Sequence, residues 1–183
     1  LVWQKGFFKP DPGVAVISIY DGDTMILDNK TRLRLRQLDA PELEYCGGPE
    51  AKQALEKLVS GKRIQIAEQV PDQRGRGMAL VYVGDVLVNK ELLAQGWARY
   101  HHDTTTKTDE FKIATENAKA KNIGIFGKCQ SLTNTKNPKC VIKGNIDRIR
   151  KTYHLPGCVQ YKFAVVEQDL GEQWFCSEKE AQA

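Results

Sequence analysis

Nowhere in the 183 residues does an apolar run approach the roughly 20 needed to cross a bilayer, which excludes a membrane-spanning helix. There is no CxxC pair: Cys46, Cys129, Cys140, Cys158 and Cys176 are scattered. Their odd number argues against a fully paired framework and leaves one or two disulfides open. No internal repeat is visible. Little charge of either sign is in excess, since 27 Lys and Arg against 23 Asp and Glu leave +4. That hints at polyanions without establishing them. Nor is there a basic tail: 19 minus 17 charges before residue 129 and 8 minus 6 after it give +2 in each part. The residues from Leu1 onwards do not read as a signal peptide, and a removed targeting segment stays open. A leader lost before Leu1 would lean the redox compartment towards secretion. What is present is 41% hydrophobic residues, too many for a disordered chain. The length suits one medium domain, or one with a small appendage, able to bury a core without metals or disulfides.

Residues 14 to 38 read as three strands. Val14, Val16, Ile17 and Ile19 form the first, and Thr24 to Asp28 the second, after the turn Asp21-Gly22-Asp23. In the third, Leu33, Leu35 and Leu38 sit among Arg32, Arg34 and Arg36, predicting one apolar face and one bearing three guanidiniums. Pro49 suits a first helical turn. Ala51, Ala54, Leu55 and Leu58 then recur at helical spacing until Gly61. Two more strands follow, over Arg63 to Glu68 and Met78 to Val83. Helices are expected over Val86 to Gln95, stopped by Gly96, and over about Thr108 to Asn122. Five strands with a helix between the third and fourth is the order of an OB-fold barrel. The expected class is α+β: a five-stranded OB-fold barrel with about three helices over residues 1 to 128. A Ser/Thr/Asn/Lys/Pro-rich linker (129 to 139) and a small module (140 to 183) would follow.

Three clusters could carry chemistry. Asp21-Gly22-Asp23-Thr24 reads either as a plain hairpin turn or as hard-cation ligands. Asp39-Ala40-Pro41-Glu42 follows the arginine-bearing strand, and Pro41 holds its acids rigidly; a surface ion-pair network is the bland alternative. Asp72-Gln73-Arg74-Gly75-Arg76-Gly77 offers guanidiniums between glycines, either a phosphate loop or an ordinary charged turn.

Together the segments DGDT at 21–24, RLRQLDAPE at 34–42, DQRGRGMA at 72–79, VNKELLAQGWA at 88–98 and NIGIFG at 122–127 resemble the thermonuclease family, the staphylococcal-nuclease-like domains. The resemblance implies a calcium-dependent endonuclease cutting DNA and RNA at the bond to the 5′ oxygen, with single strands preferred. It implies that Asp23, Asp39 and the backbone carbonyl of Ala40 bind Ca²⁺, with Asp21 orienting ligands or water behind them. Glu42 would handle the attacking water, while Arg34 and Arg76 would grip the scissile phosphate. A secreted or periplasmic bacterial monomer is the accompanying expectation. The rival is a catalytically silent binding module of the same fold. All five residues Asp23, Arg34, Asp39, Glu42 and Arg76 are present, which favours the enzyme.

The sequence departs from the family's pattern at Arg74, where an aromatic residue is common, and at Gln37, where many members have Gly. His101 and His102, read as neighbours on a strand, would face opposite ways and not serve one site. The last stretch resembles a short module appended to secreted bacterial nucleases. Its Cys140, His154, Cys158 and Cys176 are either zinc ligands or, the preferred reading, disulfide-bonded or buried thiols. The preferred pairs are Cys140 with Cys176, bracketing the module, and Cys46 with Cys129, tying the helix entrance to the end of the domain.

Overall fold

The computed structural model describes residues 13–183, so the first twelve residues assigned to the N-terminal domain lie outside the described residues. The chain begins with β1 (Val14–Ile19), β2 (Thr24–Leu27), β3 (Arg32–Leu35) and β4 (Leu38–Asp39), followed by α1 (Gly48–Val59). Next come β5 (Arg63–Pro71), β6 (Gly77–Val83), β7 (Val86–Leu87), α2 (Val88–Ala94), β8 (Arg99–Tyr100), α3 (Thr108–Ala120) and α4 (Ile125–Lys128). The remainder holds β9 (Gln130–Ser131), β10 (Ile142–Asp147), β11 (Arg150–His154), β12 (Val166–Glu167), a 3-10 turn (Gln168–Leu170), β13 (Gln173–Phe175) and α5 (Glu178–Ala181).

Five strands close on themselves. β1 pairs with β2 and β5, β2 with β3, and β5 with β6, all antiparallel, while β3 meets β6 in parallel (Leu33 opposite Gly77, Leu35 opposite Ala79). This closed mixed barrel with four flanking helices is the expected α+β, OB-like architecture. Met25, Leu33, Leu35, Ile64 and Leu80 fill its interior. Leu55 and Val59 of α1, Leu92 and Leu93 of α2 and Phe111 of α3 pack against them, so each helix buries one apolar stripe.

Several boundaries differ from the sequence reading. The third strand stops at Leu35 rather than running to Leu38, because Gln37 turns the chain at φ 62°. Leu38 and Asp39 then form a separate pairing with β8. The guanidinium face is therefore shared by Arg32 and Arg34 only. Arg36 leaves it to pair with Asp103 and to donate to the Glu68 carbonyl at 3.0 Å. The predicted helix from Val86 begins only at Val88, since Val86 and Leu87 pair with the end of β6. β5 continues past Glu68 to Pro71 through a bulge between Ala67 and Val70.

Both preferred cysteine pairs are disulfides: Cys46 with Cys129, and Cys140 with Cys176. The zinc alternative fails because two of its four ligands are consumed by one bridge. Cys158 is exposed, with its sulfur 4.0 Å from His154 Nδ1. Within residues 129–139, Gln130 and Ser131 form a strand paired with β12.

Candidate nuclease site

Strand β3 and four other segments at one end of the barrel supply the side chains that line a single cleft of about 840 Å³. The β1–β2 turn brings Asp21, β3 brings Arg34, and β4 with the residues after it brings Asp39 and Glu42. The β5–β6 loop brings Arg74 and Arg76, and the segment after β8 brings His101 and His102.

Asp23 sits behind this wall, only 2% exposed. Its Oδ1 accepts from Thr24 Oγ1 at 2.8 Å, and its Oδ2 accepts from the Ala40 amide at 3.0 Å and pairs with Arg34 Nη2 at 2.8 Å. Asp21 Oδ1 in turn accepts from the Asp23 amide at 3.1 Å, closing the DGDT turn as an Asx-type loop. Arg34 Nη2 also pairs with Asp39, so one guanidinium lies between the two carboxylates. Burial pushes the Asp23 carboxyl up to about 7; the Arg34 charge opposes this and the nearby Asp21 adds to it.

The turn carrying Glu42 is set by Pro41, which is buried, and by close backbone packing. The Tyr45 amide donates to the Glu42 carbonyl at 2.9 Å. A Cβ on Gly48 would lie 2.0 Å from that same carbonyl oxygen, so only glycine allows α1 to start this near the acid. Glu42 itself is exposed at the cleft wall.

In the third loop, Asp72 is the organiser. Its Oδ1 accepts from the amides of Arg74 and Arg76 at 2.8 and 2.7 Å, and its Oδ2 pairs with Arg76 Nε at 2.6 Å. Arg76 is thus aimed by a side chain four residues earlier. Arg74, where the family's pattern has an aromatic, adds a further cationic group to the cleft wall. The aromatic surface at the rim is Tyr20 instead, with the Arg32 guanidinium 4.1 Å from its ring centre.

His101 and His102 correct the expectation that they diverge. β8 ends at Tyr100, so the strand alternation does not reach them, and both line the cleft. His101 Nε2 lies 3.8 Å from Asp39 Oδ2. Gln37, 2% exposed, explains their placement. Its carbonyl accepts from the His101 amide at 3.0 Å, its amide group donates to Thr108 Oγ1 at 3.0 Å and to the Asp103 carbonyl, and its Oε1 accepts from Thr105 Oγ1 at 2.5 Å. The sequence reading gave no role to Asp72 as a clamp or to the Arg36–Asp103 pair. Asp72 had a local signal, four residues before Arg76 in a Gly-rich turn. Arg36 and Asp103, 67 positions apart, had none.

The donor set can be tested against a divalent cation. Among the described residues no three His, Cys, Asp or Glu side chains cluster closely enough to hold a metal unaided. The pair Asp23 and Asp39 offers hard oxygens, one of them desolvated enough to disfavour its charge, and a guanidinium already stands between them as a cation. These residues fit a hard cation that takes its other oxygens from backbone or water.

The barrel and this cleft define a nuclease-type OB domain, and comparison with known proteins agrees. Residues 32–128 match the family described as staphylococcal nuclease homologue, and the chain belongs to that family. It is 35% identical over 116 residues, 63% of this chain and 30% of the relative, to the probable staphylococcal-like nuclease CAN3 of Oryza sativa subsp. japonica. To an uncharacterized endonuclease of Haemophilus influenzae it is 36% identical over 119 residues, 61% of this chain and 64% of the relative. To Protein ParB of Escherichia coli it is 30% identical over 125 residues, 61% of this chain and 70% of that protein. The matched part of the chain thus spans under a third of the rice protein and under two thirds of the Haemophilus one.

Proposed function

We propose that the chain is a calcium-dependent nuclease hydrolysing phosphodiester bonds of DNA and RNA, with single strands preferred and 3′-phosphate ends left. The observation that carries this is the meeting, at one cleft, of the exposed Glu42, the half-exposed Asp39 with the buried Asp23 behind it, and two guanidiniums, Arg34 and Arg76, each held by a carboxylate. A phosphodiester repels hydroxide, so the site must meet its charge before attack. Arg34 and Arg76 present planar forks to the phosphoryl oxygens, whose charge grows as water adds. Glu42 takes the proton of that water, and the 5′ oxygen departs with the bonding electrons and is protonated from solvent. A calcium ion held by Asp23, Asp39 and the Ala40 carbonyl, with Asp21 behind them, would supply Lewis-acid polarisation of a phosphoryl oxygen.

The same reading assigns catalysis to the domain over residues 1–128. It takes the protein as a monomer, since one chain supplies every group named. Two disulfides favour an oxidising compartment, which supports secretion or a periplasmic location.

The test is digestion of labelled single-stranded DNA with calcium and then with a chelator. Cleavage is expected only with the ion; cleavage that survives chelation removes the cation from the reading. Glu42→Gln should lower kcat about a hundred- to a thousandfold while nucleotide affinity stays within about twofold. Binding of single strands with no cleavage under any divalent cation would favour the silent binding module instead.

A further inference from the structure

The segment after Cys129 reaches back to the two pieces of chain that carry Asp39 and Glu42. Asp39 stands opposite Arg99 in the β4–β8 pairing. The Arg99 guanidinium is held by two carboxylates from the far side: Nε donates to Asp169 Oδ2 at 2.6 Å and Nη2 to Glu167 Oε1 at 2.9 Å. Two residues after Asp169, Gly171 lies against the Tyr45 ring, where a Cβ would come within 2.7 Å of Cζ, and its φ of 83° favours glycine. Tyr45 belongs to the turn whose amide bonds the Glu42 carbonyl. The anchor is completed at Cys129, whose carbonyl accepts from the Gln168 amide at 2.9 Å and whose sulfur is bonded to Cys46, next to Tyr45.

We infer that residues 166–171 position the nuclease site: by holding Arg99 and Tyr45 they fix β4 and the Glu42 turn. The physical need is plain. β4 and β8 pair over two residues each, and a ladder that short cannot by itself hold a carboxylate to a fraction of an ångström. Cross-strand partners lie within side-chain reach, so an Arg99 released by its two acids would be a competing cation beside Asp39. Asp169 is buried, and its Oδ1 has no hydrogen-bond partner among the described residues, a costly arrangement that the Arg99 charge on Oδ2 helps to offset. Such a pair contributes little net stability, whereas it sets geometry. Arg99, Glu167, Asp169 and Tyr45 are therefore positioning residues. The kinetic consequence rests on the nuclease reading above; the structural one rests on these contacts alone.

The test uses the full chain with both disulfides intact. In Glu167→Gln/Asp169→Asn, amide hydrogen exchange at residues 39–46 is expected to quicken at least tenfold, while residues 79–81 in the barrel stay within twofold. On single-stranded DNA with calcium, kcat should fall at least tenfold with KM within twofold. Arg99→Lys, whose ammonium can still reach one acid, should keep kcat within about threefold of wild type, and Arg99→Gln should not. Unchanged exchange at 39–46, or acceleration spread evenly over the barrel, overturns the inference. Should the double variant fail to fold, Glu167→Gln alone removes the more exposed acceptor and carries the same exchange measurement. If the wild type cleaves nothing, the nuclease reading fails, while the exchange result still decides this one.

Discussion

At the scale of single residues, the site works by pairing each reactive charge with a holder. Arg76 is aimed by Asp72 through its Nε and through two backbone amides of the same loop. Asp72→Ala should therefore weaken catalysis almost as Arg76→Ala does, by tenfold or more in kcat/KM, with additivity failing in the double variant because the two act as a unit. Kinetics of the two single variants and the double one would show independent, additive losses if Asp72 had no such role. Arg36 and Asp103 form a second pair, whose hydrogen bond holds the Asp103 carboxyl below the usual carboxylate range. The sign follows directly: a carboxylate with a depressed folded value stabilises the protein above its unfolded pKa, about 3.9, and loses that contribution as pH falls through the depressed value. Asp103→Asn should be less stable than wild type at neutral pH, and the gap should narrow as pH falls below the unfolded value of about 3.9. Urea midpoints across the acid range check this, and a gap that widens on acidification contradicts it.

Elements matter here mostly where they end. α2 begins with Val88, and its next residue, Asn89, is 0% exposed inside the fold. Asn89 Oδ1 accepts from the Val81 amide at 2.9 Å, and its Nδ2 donates to the carbonyls of Arg36 and Ala79 at 2.9 and 3.1 Å. One side chain thereby staples the helix start to β6 and to the loop that leads from β3 to Asp39. Asn89→Ala takes the partner from the buried Val81 amide and from the partly buried Arg36 carbonyl, while the Ala79 carbonyl keeps the Arg36 amide at 2.9 Å; the cost is about 2 kcal/mol. Equilibrium urea unfolding should register that loss with m unchanged. Periodicity made β1 and β2 and the helical stripes of α1 and α3 legible, because side-chain alternation is a local property of the chain. It did not locate the end of β3, where Gln37 adopts a left-handed backbone and exchanges hydrogen bonds with residues more than sixty positions away.

For the whole molecule, the decisive fact is how far apart in sequence the site's supports lie. The Cys46–Cys129 bridge spans 83 positions and ties the Glu42 turn to the end of α4. A loop of that length is worth about 4.5 kcal/mol of unfolded-state entropy on the chain-entropy estimate. Cys46→Ser/Cys129→Ser should lower stability by several kcal/mol in denaturant titrations and quicken exchange around residues 42–46. A melt unchanged from wild type would show that the bridge is dispensable. The Cys140–Cys176 bridge closes a 36-position span around β10 and β11, and its removal should leave the barrel's exchange protection intact.

By itself the sequence determined which chemistry was on offer. The carboxylates at 21, 23, 39 and 42 and the guanidinium at 76 were visible as residue types at turns, that at 34 on a strand, and the order of strands and helices pointed to the barrel. Tertiary structure decided what each of them does for the others. It set Arg34 between Asp23 and Asp39, raised the Asp23 carboxyl by burial, and brought both histidines to one wall. It also laid the far end of the chain against the strand and turn that carry Asp39 and Glu42. The reason is that pattern and turn chemistry act over a few residues, whereas desolvation and pairing depend on neighbours that only folding brings together.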